Sequence, residues 1–209
     1  MPSAHHPIFA RLYPRMSRAM DQGGMAEQRR ILLAGLTGEI IEIGAGDGGN
    51  FAHYPTTVSH VLAVEPEPRL RALASAAARH APVPVTVADG LGEDLPAPDG
   101  SRDAAVFALV LCTVPDPGAV LAETARVLRP RGRTRFLEHV RAPTPGLARL
   151  QRLLDATVWP PLVGGCHLGR DTAATIEQAG FSIERIDHFL FPPTRSPVSF
   201  HIRGTAYRP

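Results

Sequence analysis

Lysine is absent from this chain, whose 22 basic residues are all arginine, while tryptophan occurs once and cysteine twice. Two cysteines are too few for a disulfide framework, so the stability of the 209-residue chain has to come from a packed core, in a compartment that keeps thiols free. Long apolar runs are missing too. The longest, Ala104 to Cys112, falls far short of the roughly 20 residues that span a bilayer. The N-terminus mixes Pro, His and Arg without a hydrophobic leader, so a cytoplasmic protein with no membrane anchor is expected. A formal charge of +2 excludes a strongly basic nucleic-acid binder. The densest basic cluster, Arg126, Arg129, Arg131, Arg133 and Arg135, reads as a solvated surface at a helix end.

What remains is ordinary globular composition, 44% apolar and 20% charged, which suits one domain over 1–209 burying about 70% of its unfolded surface. Strands and helices alternate along it. Glu39 to Ile43 is a short β-branched run ending in glycines, and Val61 to Val64 ends at Glu65. A helical pattern over Glu67 to His80 stops at Pro82 and Pro84 before the strand Val85 to Val87, and a further helix is expected next. Ala104 to Leu111 is continuously apolar, as a central parallel strand buried on both faces would be. A helix opens at Asp116-Pro117, and Thr134 to Val140 is the next strand. The expected fold is therefore α/β, a mostly parallel sheet with right-handed crossovers and helices on both faces, its ligand beyond the carboxyl ends of the strands. The tail breaks the alternation. After a helix over Thr172 to Ala179, the strands Phe181 to Phe191 and Val198 to Ala206 have only a Pro-rich loop between them and must be antiparallel.

The run Gly44-Ala45-Gly46-Asp47-Gly48-Gly49 satisfies G-x-G-x-x-G, and Glu65 stands 21 residues after Gly44, where a ribose-binding acid belongs. Glycines permit a tight turn and close backbone approach, and a carboxylate accepts from two adjacent hydroxyls. NAD and S-adenosylmethionine both carry that ribose, so an oxidoreductase competes with a methyltransferase at this point.

Later segments separate the two. The antiparallel tail resembles the sheet end of class I methyltransferases, seven-stranded with an antiparallel C-terminal strand. Gly92-Glu93-Asp94-Leu95-Pro96, Asp99 to Asp103 and Arg126 to Gly132 resemble their adenine-side loop, fourth-strand entry and fifth-strand turn, with Arg131 in place of a usual glycine. Glu42-Ile43-Gly44-Ala45-Gly46, Asn50-Phe51 with Tyr54-Pro55, Leu109 to Val114, Glu138-His139-Val140 and Gly165-Cys166-His167-Leu168 together resemble the family that includes alkyl thiol methyltransferases. The likeness runs from about Arg29 to Tyr207.

The resemblance implies S-adenosylmethionine as cofactor and a small, apolar acceptor, a thiol sulfur first, or an O, N or C atom of a quinone-like molecule or natural product. A scaffold that binds the cofactor without turnover is the remaining alternative. The parts implied are an N-terminal helical lid (1–35), a cofactor core (36–140) and acceptor-side helices with the strand pair (141–209). Glu42, Gly44, Ala45, Gly46 and Asn50 would follow the methionine portion, with Glu42 equally suited to bracing the turn. Glu65 would hold the ribose, Pro66, Gly92 and Glu93 would meet the adenine, and Leu109 would lie on the sulfonium side. His139 and His167 are the catalytic candidates, each with a structural alternative. Tyr13, Trp159, Cys166 and His201 are the pocket candidates. No metal is expected, because the neighbours Cys166 and His167 supply at most two ligands, and Asp171 caps a helix.

Overall fold

A computed structural model describes residues 7–209, so the first six residues of the expected lid lie outside the described residues. Seven strands form one sheet in the order β3-β2-β1-β4-β5-β7-β6. They are β1 Gly38–Ile43, β2 Val58–Val64, β3 Val85–Ala88, β4 Arg102–Ala108, β5 Leu128–His139, β6 Ser182–Leu190 and β7 Phe200–Tyr207. All neighbours are parallel except β7, which runs antiparallel to both β5 and β6. Central β1 and β4 are apolar because both faces are covered.

Two cores lie on opposite faces of the sheet. On one, Ile41, Ile43, Phe107 and Phe136 pack with Val120 and Leu121 of α4 (Pro117–Val127) and Ile176 of α7 (Thr172–Gln178). On the other, Ile40, Val61 and Val106 pack with Leu32 and Leu33 of α2 (Ala26–Leu33) and Ala74 of α3 (Pro68–Ala78). Alternate residues of a strand face opposite ways, so one short run feeds both cores. Three acids start helices by accepting from the backbone: Glu67 from Leu70, Asp116 from Ala119, and Asp171 from Ala174 as expected. At the N-terminus α1 (Pro7–Met20) meets α2 through a π-helical turn, Asp21–Met25, where Gly24 takes φ 113°. On the acceptor side lie α5 (Pro145–Asp155) and the single turn α6 (Trp159–Leu162).

Three expectations need correction. No helix lies between β3 and β4, where Pro96 and Pro98 remove backbone donors and residues 89–101 form turns instead. Arg126 takes the place of helical hydrogen bonding there, donating to the carbonyls of Leu95 and Ala97. β4 ends at Ala108 rather than Leu111, because Leu109 turns the chain into the left-handed region at φ 62°. β5 begins at Leu128, before the expected Thr134, and its register against β4 shifts between Arg102 and Ala104 as Arg131 takes φ 62°. The arginine cluster is largely ion-paired surface, with Arg126 on Glu123 and Asp99, Arg129 on Asp103, and Arg133 on Glu184.

Candidate active site

The glycine turn leaves the carboxyl end of β1, with Gly44 and Gly46 at φ 67° and 58°, where a side chain is strained. Space forbids one as well, since a Cβ on Gly44 would lie 2.7 Å from Val110. The turn is tied to the next strand. The amides of Gly44 and Ala45 donate to the Val64 carbonyl at 2.9 and 3.1 Å. Glu65, buried at the end of β2, accepts from the amides of Gly46 at 2.7 Å and Glu67 at 2.9 Å, one on each oxygen. Each oxygen keeps a second lone pair, so the carboxylate retains acceptors for a diol. These residues fit an adenosine ribose beside a close-approach turn. Over the turn lies α1. A Cβ on Gly46 would stand 3.0 Å from the Tyr13 ring, and Ser17 donates to Asp47 at 3.2 Å. Burial pushes the Tyr13 phenol up to about 12. Of the adenine-side candidates, Pro66, Gly92 and Glu93 are half-buried, and Gly92 is packed tightly against Val120.

Glu42 is occupied by side chains rather than by the turn's amides. It accepts from Asn50 at 2.9 Å and Tyr54 at 2.6 Å, and Asn50 in turn accepts from Arg29 at 2.8 Å. Arg29 also donates to Asp21 at 3.0 Å. This buried chain supports the turn from below and engages both ends of the Asn50 amide. Burial pushes the carboxyls of Glu42 and Glu65 each up to about 7, against the hydrogen bonds they accept. An acid that holds its proton more tightly folded than unfolded favours the fold most below its unfolded pKa of about 4.3. That advantage declines as pH rises through the folded value. Urea denaturation of the ligand-free chain is therefore expected to give a stability lower by about 1–3 kcal/mol at pH 8 than at pH 5.5.

On the acceptor side, sequence reasoning missed the organising residue. Glu138, fully buried near the end of β5, accepts from the amides of Val110 and Leu111, each at 3.0 Å, and Cys112 at 3.1 Å. Its carboxylate thereby fixes the chain leaving β4, including the Val110 side chain against Gly44. Burial pushes Glu138 up to about 7. An acid directly after the apolar pair Phe136-Leu137 and before Val140 was the available signal.

Beyond that loop, Cys166 lies 3.8 Å from Cys112 and 3.6 Å from His139 Nδ1, sulfur to ring nitrogen. His139 Nε2 meets the Val198 carbonyl at 3.1 Å, which makes Nε2 the donor and turns Nδ1 toward the sulfurs. A bond shared with Cys112, followed by His139, holds the Cys166 thiol below its usual value, while the same bond raises Cys112. Leu109, Trp159, Val163 and Val198 pack around this cluster. His201 stacks on His139 with ring centroids 4.1 Å apart and is kept neutral, near 3, first by burial and then by His139. His167 stands apart. Its ring meets the Gly165 carbonyl at 2.8 Å and only its backbone amide reaches Cys112, at 2.7 Å. Phe9 of α1 covers Gly164 beside α6, so the same helix that lies over the glycine turn also reaches the Gly164–Cys166 loop. A cleft of about 460 Å³ at the ends of β5 and β6 is lined by Arg141, Arg170, His188 and Arg195, bringing the loop after His139 to the Pro-rich segment.

The methyltransferase domain family matches residues 41–136. Thiol S-methyltransferase TMT1B of Homo sapiens is 34% identical over 212 residues, covering 96% of this chain and 84% of the relative. Thiol S-methyltransferase TMT1A of Homo sapiens is 34% identical over 197 residues, covering 88% and 80%. A SAM-dependent methyltransferase of Thermotoga maritima, described as a possible histamine N-methyltransferase, superposes with a TM-score of 0.71 at 20% identity, over 97% of this chain and 99% of that one. At that identity the structure speaks for the fold alone. Among the described residues no helix is long and apolar enough to cross a membrane. The antiparallel β7 inserted between β5 and β6 departs from a wholly parallel dinucleotide-binding sheet. The ambiguity of the glycine turn is thereby resolved: this chain is an S-adenosylmethionine-dependent methyltransferase and belongs to the family that contains the thiol S-methyltransferases TMT1A and TMT1B.

Proposed function

We propose that this enzyme methylates the sulfur of a small, apolar thiol. The observation that carries the reading is the likeness, over nearly the whole chain, to relatives named as thiol S-methyltransferases. The site is compatible in character: beyond β4 it is walled by Leu109, Trp159, Val163 and Val198, with sulfur and imidazole as its polar groups.

S-adenosylmethionine supplies a methyl group on a positively charged sulfur, so the protein's task is alignment and exclusion of water more than acid–base chemistry. Gly44, Ala45 and Gly46 admit the methionine portion to the backbone, and Glu65 offers its free lone pairs to the ribose. Pro66, Gly92 and Glu93 border the adenine. Leu109 separates donor from acceptor at the end of β4, and Tyr13 closes the turn from above. Glu42 and Asn50 support the methionine side by bracing one another. His139 acts on the acceptor region through Cys166, since both of its nitrogens are engaged. A free thiol, with a pKa of about 8.5, is partly ionised near neutrality and needs little more than this.

Incubation with a methyl-labelled donor and parallel panels of alkyl thiols, aryl thiols, phenols and amines tests the reading. Labelled thioethers are expected. Label found only on phenols or amines overturns it.

A further inference from the structure

We propose that Cys112, His139 and Cys166 form a three-ligand site for a thiophilic divalent cation, zinc in the first instance, whose fourth position receives the acceptor thiol. The last clause rests on the thiol reading above; the metal site does not.

The ligand atoms of these three residues lie within 4.8 Å of one another, although they stand 27 and 54 positions apart in the chain. Zinc takes sulfur at about 2.3 Å and imidazole nitrogen at about 2.0–2.1 Å, so the edges of a tetrahedral site are about 3.8 Å between sulfurs and about 3.5 Å from sulfur to nitrogen. Two edges here already have those lengths, 3.8 Å for Cys112 to Cys166 and 3.6 Å for Cys166 to His139. The third, no longer than 4.8 Å, closes by up to about 1.3 Å on loading.

The surroundings are those of a ligand set. Metal-binding histidines characteristically donate their other nitrogen to a carbonyl or carboxylate. His139 does so to Val198, which presents the Nδ1 lone pair to the two sulfurs. Cys112 is held through its amide by Glu138, and Cys166 through its amide by the Val163 carbonyl. Trp159 contributes a buried Nε1–H with no acceptor, bordering the Cys166 sulfur, where a thiolate would satisfy it. Two cysteines and one histidine with an open fourth position is a donor set of catalytic rather than structural zinc. Leu109 and Trp159 pack against the two cysteines and give the open position an apolar wall.

On binding, the acceptor thiol gives its proton to solvent and its sulfur joins the cation. The sulfur's lone pair then forms the new carbon–sulfur bond. The donor's carbon–sulfur bond breaks with its electron pair retained by the donor sulfur, yielding a thioether and S-adenosylhomocysteine. The cation's oxidation state is unchanged.

The test uses the full chain, reduced and stripped with a chelator, titrated with cobalt(II) as the probe. The expected result is saturation at one cobalt per chain, with sulfur-to-cobalt charge-transfer absorption and the visible bands of tetrahedral cobalt, both abolished by added zinc. Cys166→Ser and His139→Ala are expected to lose that spectrum, with retained circular dichroism and a retained thermal shift by S-adenosylhomocysteine reporting that they fold. Absence of a saturable cobalt spectrum in the reduced wild-type chain overturns the site. So does a spectrum that survives Cys166→Ser. Capture of the two cysteines as a disulfide by peroxide, with no cobalt spectrum before oxidation, assigns the pair to redox chemistry and overturns it too. A small thiol is expected to shift the visible bands. Bands that no thiol perturbs, with methylation on phenols, overturn the thiol reading and leave the metal site standing. Thiol turnover that persists in a chain giving no cobalt spectrum does the reverse.

Discussion

Replacing Glu138 with alanine is expected to destabilise the fold by about 3–5 kcal/mol, the largest effect of any single substitution discussed for this chain. The carboxylate is fully buried and serves three amides, those of Val110, Leu111 and Cys112. Each buried donor left without a partner costs about 1–3 kcal/mol, and water entering the vacated space recovers part of the sum. Glu138→Gln is the informative companion. Its carbonyl oxygen keeps two of the three amides, but its amide group places donor against donor at the third. A loss of about half is expected. Urea denaturation near pH 8, where Glu138, held up at about 7, is mostly ionised, measures both, and an alanine variant within 1 kcal/mol of wild type, taken as roughly one ordinary hydrogen bond, contradicts the account. The loss is expected to spread to the cofactor side, since the loop that Glu138 holds also places Val110 on Gly44.

The second large effect falls on binding. Glu65→Ala is expected to weaken S-adenosylhomocysteine by about 100- to 10,000-fold. Hydrogen bonds to a charged acceptor are worth about 1.5–3 kcal/mol each, two are available to the ribose, and each 1.4 kcal/mol is tenfold in affinity. The substitution also releases the amides of Gly46 and Glu67, so the turn loosens as the acceptor disappears. Glu65→Gln keeps one carbonyl oxygen and is expected to lie between. Titration calorimetry decides the matter. Affinity within threefold of wild type, roughly half a hydrogen bond, would remove Glu65 from the ribose site.

The parallel core was legible because each central strand must be apolar on both faces, and runs such as Ile40-Ile41 and Ala104 to Phe107 have few other places to go. The antiparallel tail was legible from connection length alone, since no helix fits between Phe191 and Phe200. Asp171 announced its cap. The segment after β3 misled, because the alternation of strands and helices implied a helix whose donors the prolines had removed, and a distant arginine does the work instead. The active-site framework was hidden for a different reason. Glu138 and Glu42 are charges inside strands, and their partners come from loops that a linear reading does not bring together. Arg29, nominally a helix-surface residue of α2, is buried under the turn. Cys166 was paired in sequence with His167, whereas packing pairs it with His139 and Cys112.

The contacts of α1 have a thermodynamic consequence. Tyr13 rests on Gly46 and Phe9, one turn earlier on the same helix, rests on Gly164 with the two rings 5.2 Å apart. A ligand that reseats the tyrosine is therefore expected to shift the phenylalanine beside Gly164. Linkage makes such communication reciprocal: by whatever factor the methyl donor alters the affinity for acceptor, the acceptor alters the affinity for donor by the same factor. Donor and acceptor, which meet at one carbon atom, would thus also report to each other through the single helical turn from Phe9 to Tyr13.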